Sequence, residues 1–290
     1  MPDIFLLLQS SPTALIIFVL IIGLMVGSFL NVVVHRLPIM LERSWQYEYQ
    51  SYFHPEQAQA TAPYNLVKPD SQCPKCGHKI RAWENIPLLS WLLLKGQCSQ
   101  CATPISARYP MVELLTGLLS AWMAWHWGFG WPLLAALLFT WLLVAMTFID
   151  LDKMLLPDQL TLPLLWLGLL ASTQSLFVGP VDAIIGAVAG YLSLWSVYWG
   201  FKLLTGKEGM GHGDFKLLAA LGAWLGWQYL PMVILASSFV GAIIGILVLS
   251  IQGKDKGQAI PFGPYLAIAG LLTFLYGEPV SELYWQWILS

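Results

Sequence analysis

Long apolar runs separated by short polar links dominate the chain and predict membrane-spanning helices. Residues 14–34 form a run of 21 residues without a charged side chain, which is long enough to cross a bilayer as a helix. Seven further runs lie at residues 111–127, 131–149, 160–177, 183–204, 215–229, 232–251 and 260–276. The pattern therefore predicts an all-α polytopic membrane protein with about eight transmembrane helices.

One sizeable polar block, residues 36–109, separates the first apolar run from the other seven. Its first half, SWQYEYQSYFHPEQAQATAPYN at residues 44–65, has neither a helical nor a strand period, so we expect loop or irregular structure there. Its second half holds all four cysteines of the chain, and we expect a small folded domain around them.

Composition agrees with a membrane protein and excludes one broad class of function. Of the 290 residues, 57% are hydrophobic and only 10% are charged, and the mean hydropathy is +0.66. These values are typical of a polytopic membrane protein and not of a soluble domain. The net charge of −2 gives no support for bulk binding of nucleic acid.

The distribution of charge predicts the orientation of the helices. All 14 lysines and arginines fall in links or at helix ends that eight alternating spans place on one side of the membrane. In the opposite links and tails the charged side chains are all acidic, namely Asp3, Asp182, Glu278 and Glu282. Because basic residues concentrate on the cytoplasmic side, the polar block is expected to be cytoplasmic and both termini to lie outside.

The cysteines form two pairs, Cys73-x-x-Cys76 and Cys98-x-x-Cys101, with 21 residues between the pairs. Two such pairs at this spacing predict a tetrahedral four-thiolate zinc site. The zinc is expected to be structural, because four cysteines leave no open position for water. A redox pair that shuttles electrons is the alternative, although the reducing cytoplasm argues against disulfides there.

Two acidic clusters lie at the ends of apolar runs and are the candidates for chemistry. Asp150 directly follows the apolar run 131–149 and lies in the segment FIDLDKMLLPD. Asp214 follows the glycines of the segment GMGHGDFK. An ionised group at the mouth of a membrane helix is costly, so each is a functional candidate. In the predicted topology both lie at the same depth, where two close carboxylates would share a proton and act as an acid and a base. The alternative for Asp214 is a helix N-cap.

The neighbours of these two aspartates receive less weight. Asp150 lies deepest in its cluster, whereas Asp152 should point away from it if the helix continues. Asp158 follows a proline and opens the next helix, which suits capping. His212, between two glycines, is interpreted as a polar loop residue.

Small and polar residues inside the apolar runs predict where helices approach closely. Asn31 is expected to form an interhelical hydrogen bond within the first run. Glycines spaced four apart predict tight packing, and they occur as Gly23/Gly27, Gly186/Gly190, Gly222/Gly226 and Gly241/Gly245.

Seven motifs in order give the chain a resemblance to a known family. They are GSFLNVVVHRLP, the paired CxxC motifs, ENIPLLSWL, RYPMVELLTG, FIDLDKMLLPD, GKEGMGHGDFKLLAALGAW and PFGPYLAIAG, and they run along nearly the whole chain. The chain resembles the bacterial type IV prepilin peptidases, bifunctional leader peptidases and N-methyltransferases of the Gly-x-Gly-Asp intramembrane aspartic protease group. The resemblance implies Asp150 and Asp214 as the catalytic pair. It also matches the cysteine tetrad Cys73, Cys76, Cys98 and Cys101.

The resemblance also implies substrates, a cofactor and a location. Family members cut the basic leader from type IV prepilins and type II secretion pseudopilins at the cytoplasmic membrane face. They then methylate the new N-terminal residue with S-adenosylmethionine. The implied organisation is a first transmembrane helix (1–35), a cytoplasmic zinc-binding domain (36–109) and a seven-helix membrane peptidase core (110–290). The implied location is the inner membrane, in contact with lipid and with both termini periplasmic.

Two alternatives to this bifunctional enzyme stay open from the sequence. In one, the chain is a peptidase only and the zinc domain is a docking or folding element. For the bifunctional enzyme, by contrast, the domain at 36–109 is the candidate for methylation, because archaeal relatives that do not methylate lack it. In the other, the intramembrane carboxylates bind cations in a transporter, although the inverted repeat common in transporters is not visible.

Overall fold

The structure, a computed structural model, describes residues 2–57, 63–252 and 260–289. Within these ranges the chain is helical, with two isolated antiparallel bridges and no strand. The predicted all-α class is therefore confirmed for the described residues. The chain divides into two compact units, Met1–Leu133 and Leu134–Ser290, and each is described by itself.

The first unit is built on two long helices joined by the cysteine-containing segment. Its helices are α1 (Pro2–Ser10), α2 (Pro12–Phe53), α3 (Leu89–Leu93) and α4 (Arg108–Trp127), with short 3₁₀ turns at Pro55–Gln57 and Ala82–Asn85. Ser11 caps α2, since its hydroxyl accepts a hydrogen bond from the N–H of Ala14 at 3.3 Å. A proline at the first position of α2 needs no N–H partner there, which favours this helix start.

Helices α2 and α4 pack closely through glycines, as the sequence predicts. A Cβ built on Gly27 would lie 2.7 Å from the Cα of Glu113, and one on Gly117 would lie 2.7 Å from a methyl of Leu24. The side-chain amide of Asn31 donates to the carbonyl of Tyr109 at 3.1 Å. The predicted interhelical hydrogen bond of Asn31 is therefore confirmed.

The expectation of irregular structure at residues 44–65 is wrong for its first part. Helix α2 continues to Phe53, and residues 58–62 lie outside the described part of the chain. The side chains of Trp45, Tyr49 and Phe53 are all exposed. Because this stretch buries no face, its sequence carries no apolar period, and local contacts such as Ser44 Oγ to Glu48 at 3.1 Å support the helix instead.

The second unit is a bundle of long helices. They are α5 (Trp131–Lys153), which begins just before the unit boundary, α6 (Asp158–Thr173), α7 (Pro180–Thr205), α8 (His212–Leu225), α9 (Leu230–Gln252) and α10 (Gly263–Leu289). Each predicted apolar run of this half overlaps one of them, although α8 ends at Leu225, before the end of the predicted run 215–229, and α10 continues to Leu289, well beyond the predicted run 260–276. A single-turn 3₁₀ helix, Trp227–Tyr229, follows α8.

Helix α8 lies at the centre of this unit. It contacts α6, α7, α9 and α10, and every residue from Leu217 to Leu225 is buried, as expected of a helix that is apolar on all sides. Gly186 and Gly190 of α7 lie against the backbone carbonyls of Gly222 and Leu218. The predicted tight packing is thus confirmed for this glycine pair as well.

Among the described residues, five helices have the length and composition needed to cross a membrane. They are Pro12–Phe53, Trp131–Lys153, Pro180–Thr205, Trp227–Leu247 and Gly263–Trp287. Helices α4, α6 and α8 fall outside this group, and α6 and α8 have only 16 and 14 residues, fewer than the roughly 20 of a typical span. The fold is therefore that of a helical membrane protein with five candidate spans.

Candidate active site and metal centre

Asp150 lies in the last turns of α5 and is almost completely buried. Only 5% of the residue is exposed, and the preceding Ile149 and Met146 are fully buried. Its carboxylate oxygen Oδ2 accepts a hydrogen bond from the backbone N–H of Gly263 at 3.0 Å. Burial of a carboxylate at a helix end, with a backbone donor aimed at it, is an arrangement typical of a functional group.

Asp214 lies in the first turn of α8 and is also buried, with 8% exposed. Gly211 occupies the N-cap position of this helix, so the interpretation of Asp214 as the N-cap is wrong. A carboxylate in the first turn is favoured by the partial positive charge of the helix N-terminus. Leu156 lies against Gly213, which directly precedes Asp214, and also against Gly263, whose N–H donates to Asp150. The structure therefore brings the two predicted acids together.

The other acids and the histidine near this pair have different surroundings. Asp152 is exposed. Asp158 opens α6 as predicted, but the cap position belongs to Pro157, and its Oδ1 accepts from Lys216 Nζ at 2.6 Å. His212 is the first residue of α8 and not a loop residue, and it packs its ring against Tyr198 with centroids 5.2 Å apart.

The four predicted metal ligands form one compact cluster in the first unit. The Sγ atoms of Cys73, Cys76, Cys98 and Cys101 all lie within 4.8 Å of one another. The Cys73–Cys101 distance is 3.7 Å and the Cys76–Cys98 distance is 4.0 Å. A tetrahedral zinc with Zn–S bonds of about 2.3 Å requires S···S separations of about 3.8 Å. The donor set and its geometry therefore fit a zinc ion.

The first cysteine pair sits in a tight hydrogen-bonded turn. The N–H of Gly77 donates to the carbonyl of Cys73 at 2.9 Å, and the N–H of Cys73 donates to the carbonyl of His78 at 2.9 Å. Gly77 has φ +70°, a left-handed conformation that glycine adopts without strain. This turn directs both thiols of the pair to one side.

The second pair repeats the same turn with a different residue at the strained position. The N–H of Ala102 donates to the carbonyl of Cys98 at 3.0 Å, and the N–H of Cys98 donates to the carbonyl of Thr103 at 2.9 Å. Ala102 has φ +54°, which is costly for a residue with a Cβ. The two turns are thus local structures of the same kind, each coded by a few adjacent residues.

Glu84, the first residue of the motif ENIPLLSWL, joins the two cysteine turns, a role that was not predicted from the sequence. Its side chain is only 4% exposed and accepts hydrogen bonds from the N–H of Arg81 at 2.7 Å, from Ser99 Oγ at 2.5 Å and from His78 Nε2 at 3.0 Å. These donors, chiefly the Arg81 N–H, lower the pKa of Glu84 to about 2. His78 follows the first turn and Ser99 lies in the second, so one carboxylate links both.

Two further buried charges of the first unit were also not anticipated. Glu113 in α4 is 9% exposed and accepts from the N–H of Leu88 at 2.9 Å. Arg36 in α2 is 8% exposed and donates to the carbonyl of Asn65 at 3.1 Å. Both anchor the segment between α2 and α4 to a helix, since a buried charge needs such partners.

Comparison with known proteins decides the family. Residues 21–127 match the family described as Bacterial Peptidase A24 N-terminal domain, and residues 136–246 match the Type IV leader peptidase family. A prepilin leader peptidase/N-methyltransferase from Aeromonas hydrophila is 64% identical over 267 residues, covering 92% of each chain. The chain belongs to the type IV leader peptidase family. The resemblance found in the sequence is therefore confirmed.

Other members of the leader peptidase family are similar over nearly the full length. Proteins of the same name from Pseudomonas aeruginosa and Stutzerimonas stutzeri are 59% and 58% identical, each covering 96% of both chains. No solved structure matches the chain. Within this leader peptidase, the cysteine cluster lies in the stretch that matches the N-terminal domain, and both buried aspartates lie in the stretch that matches the peptidase family.

Proposed function

We propose that the chain is an intramembrane aspartic endopeptidase and N-terminal methyltransferase, with Asp150 and Asp214 as its catalytic pair. It cleaves the leader of prepilins and then N-methylates the residue that becomes the new N-terminus. The observation that supports this best is that two buried aspartates from different helices are linked through contacts of Leu156 and Gly263, within the unit that contains the leader peptidase match. Type II secretion pseudopilins, which share the substrate class, are proposed as further substrates.

The chemistry follows from two carboxylates that cannot both ionise cheaply. One carboxylate keeps a proton and the other stays charged, so the pair acts as a unit. The charged member takes a proton from water as the water oxygen attacks the carbonyl carbon of the scissile peptide bond. The protonated member donates to the carbonyl oxygen, and a proton then passes to the nitrogen as the C–N bond breaks.

The proposed location explains how the scissile bond reaches the pair. Eight spans, adding α4, α6 and α8 to the five candidates, would place both termini in the periplasm and both aspartates at the cytoplasmic face of the inner membrane. A prepilin with a cytoplasmic leader and a following membrane helix would present its scissile bond at that depth. Lipid would then surround the outer faces of the bundle.

The cysteine tetrad is proposed to hold one structural zinc ion in a cytoplasmic domain spanning residues 36–109. Cys73, Cys76, Cys98 and Cys101 would supply all four ligands, which leaves no position for a substrate or water. The bound ion would contribute folding free energy to a segment with little apolar core of its own. Residues 110–290 would then form the membrane peptidase core, and residues 1–35 the first span.

The second reaction uses S-adenosylmethionine as the methyl donor. When bound, it would supply its sulfonium methyl group to the N-terminal amine that cleavage exposes, with S-adenosylhomocysteine leaving and the amine proton passing to solvent. Such a transfer needs a deprotonated amine aligned with the methyl group, which is mainly a matter of positioning. The domain at 36–109 is the proposed place for it, and the family membership favours this bifunctional enzyme over a peptidase alone or a transporter.

One assay tests both activities on the same sample. Purified protein is incubated with a synthetic prepilin and a methyl-labelled donor, and leader release and label incorporation are measured separately. We expect both products, with label only on cleaved pilin. Cleavage without label would leave a peptidase only, and absence of both from folded protein would contradict the proposal.

A further inference from the structure

The first turn of α10 presents a backbone donor to Asp150. Pro264 has no N–H, and the next two residues of the turn donate to the carbonyl of Phe262 at 3.1 and 3.2 Å. The N–H of Gly263 is left without a partner inside the helix, as is usual at a helix start. It donates to Asp150 Oδ2 instead, at 3.0 Å. The free N–H at the start of α10 and the Asp150 carboxylate therefore satisfy each other's need for a hydrogen-bond partner.

Residue 263 has no room for a side chain. A Cβ built on Gly263 would lie 2.6 Å from Asp150 Oδ2 and 3.1 Å from each methyl of Leu156. The first distance is well below van der Waals contact, so any other residue would displace either the carboxylate or the start of α10. The hydrogen bond to Asp150 thus depends on a glycine.

Leu156 contacts both segments that surround the aspartates. It lies in the link between α5 and α6, is 7% exposed, and its methyls pack against Gly263. On its other side, a Cβ built on Gly213 would lie 2.7 Å from the Cβ of Leu156. Gly213 directly precedes Asp214. A continuous series of contacts therefore runs from Asp150 through Gly263, Leu156 and Gly213 to Asp214.

We propose that Gly263 and Leu156 are positioning residues that fix the geometry of the aspartate pair. Gly263 orients Asp150 through its backbone N–H, and Leu156 sets the spacing between the segments that carry the two acids. This inference rests on the proposed function, since it assumes that Asp150 and Asp214 perform the cleavage. A displacement of about 1 Å in such a pair can cost about 100-fold in rate.

The direct test replaces Gly263 and a matched glycine on the same helix. Kinetics of leader release are measured for Gly263→Ala and for Gly270→Ala in detergent, with thermal unfolding as the check of folding. A Cβ on Gly270 would lie 2.5 Å from a methyl of the buried Leu221, so the control introduces a comparable clash with a side chain that is not one of the two aspartates. We expect Gly263→Ala to lower kcat about 100-fold with KM within about threefold of wild type. Gly270→Ala should keep kcat within about threefold.

A second pair of variants tests the spacing role of Leu156 and replaces no residue of α10. Leu156→Ala opens the contact series, and Leu156→Met keeps a side chain of similar volume. We expect kcat to fall about tenfold in Leu156→Ala and to return to within about threefold of wild type in Leu156→Met. KM should stay unchanged in both variants, because Leu156 is not placed at the substrate.

Asp150→Asn, measured in the same series, separates a failure of the proposed function from a failure of the positioning inference. Wild-type cleavage by Asp150→Asn would overturn the proposed function. If Asp150→Asn is inactive, a folded Gly263→Ala with wild-type kcat, or equal losses in Gly263→Ala and Gly270→Ala, would overturn the positioning inference alone. If Gly263→Ala does not fold, the Leu156 variants decide, and a wild-type kcat in Leu156→Ala overturns the inference.

Discussion

The cysteine cluster and the aspartate pair are built by opposite means. The four cysteines lie within residues 73–101, and short hydrogen-bonded turns direct their thiols toward one point. The two aspartates are 64 positions apart in the chain, and a third segment, 113 residues from Asp150, supplies the donor to it. Neighbouring residues fix the first site, whereas the packing of α5, α8 and α10 fixes the second.

This difference has consequences for what each site tolerates. A site made of local turns and a metal ion can fold or unfold as a small unit, because the metal-binding free energy is its folding free energy. A site made by helix packing changes when any contributing helix shifts, even though no single turn is disturbed. Substitutions should therefore affect the two sites independently, and that independence can be tested.

The largest expected effect is on cleavage when either aspartate loses its charge. We expect Asp150→Asn and Asp214→Asn each to reduce the rate of leader release by at least about 1,000-fold, because a pair that shares one proton cannot lose either member. The measurement is leader release by purified protein. Zinc content and thermal unfolding of the cysteine-containing segment should stay at wild-type values.

Asp152→Asn is the matched control for that pair of substitutions. Asp152 is exposed and lies on the same helix end, so removal of its charge should change the rate by no more than about threefold. A loss as large as that of Asp150→Asn would contradict the assignment of Asp150. Full activity of Asp214→Asn would contradict the assignment of Asp150 and Asp214 as a catalytic pair.

The second effect in size concerns the metal. Replacement of Cys73 and Cys101 by serine should lower the zinc content from one ion per chain to none and unfold the local domain, because two ligands cannot hold the ion. Elemental analysis and hydrogen exchange over residues 63–107 measure this. We expect methylation to suffer at least as much as cleavage. Wild-type protein without metal and with disulfide-bonded cysteines would instead favour a redox role.

A smaller effect is expected from the carboxylate that joins the two cysteine turns. Glu84→Gln keeps the shape of the side chain but loses the charge that accepts from Arg81, His78 and Ser99. We expect zinc to be released to a chelator about tenfold faster, as for other residues that support metal ligands. Glu48→Gln, on the exposed end of α2, is the control and should release zinc at the wild-type rate.

The sequence predicted the two sites with unequal completeness, for reasons visible in their construction. Spacing alone identified the cysteine cluster, because ligands and turns lie within a few residues of each other. The aspartates were found as charges at the ends of apolar runs. Gly263 lies in the motif PFGPYLAIAG, but its hydrogen bond to Asp150 was not predicted, because a glycine far along the chain gives no sign of the carboxylate that it will contact.

Burial explains the other differences between prediction and structure. Predicted runs became helices wherever a face is buried, as in α8. The extension of α2 to Phe53 was missed because its aromatic side chains are exposed and carry no period. Glu84 and Glu113 were missed because a buried acid with backbone donors has the same sequence appearance as a solvated one.

The smallest expected effect is also the sharpest test of independence between the sites. Proteolysis requires a carboxylate pair that shares a proton, whereas methyl transfer requires only an amine held in line with the methyl donor. In the proposed mechanism the two reactions act on the same end of the substrate but do not use the same protein group. Asp150→Asn should therefore methylate pilin supplied already cleaved at a rate within about twofold of wild type. The measurement is incorporation of labelled methyl, with the Cys73/Cys101 variant as the negative control. A folded Asp150→Asn protein that incorporates no label would mean that the aspartate region also serves methylation, and that the two sites do not work independently.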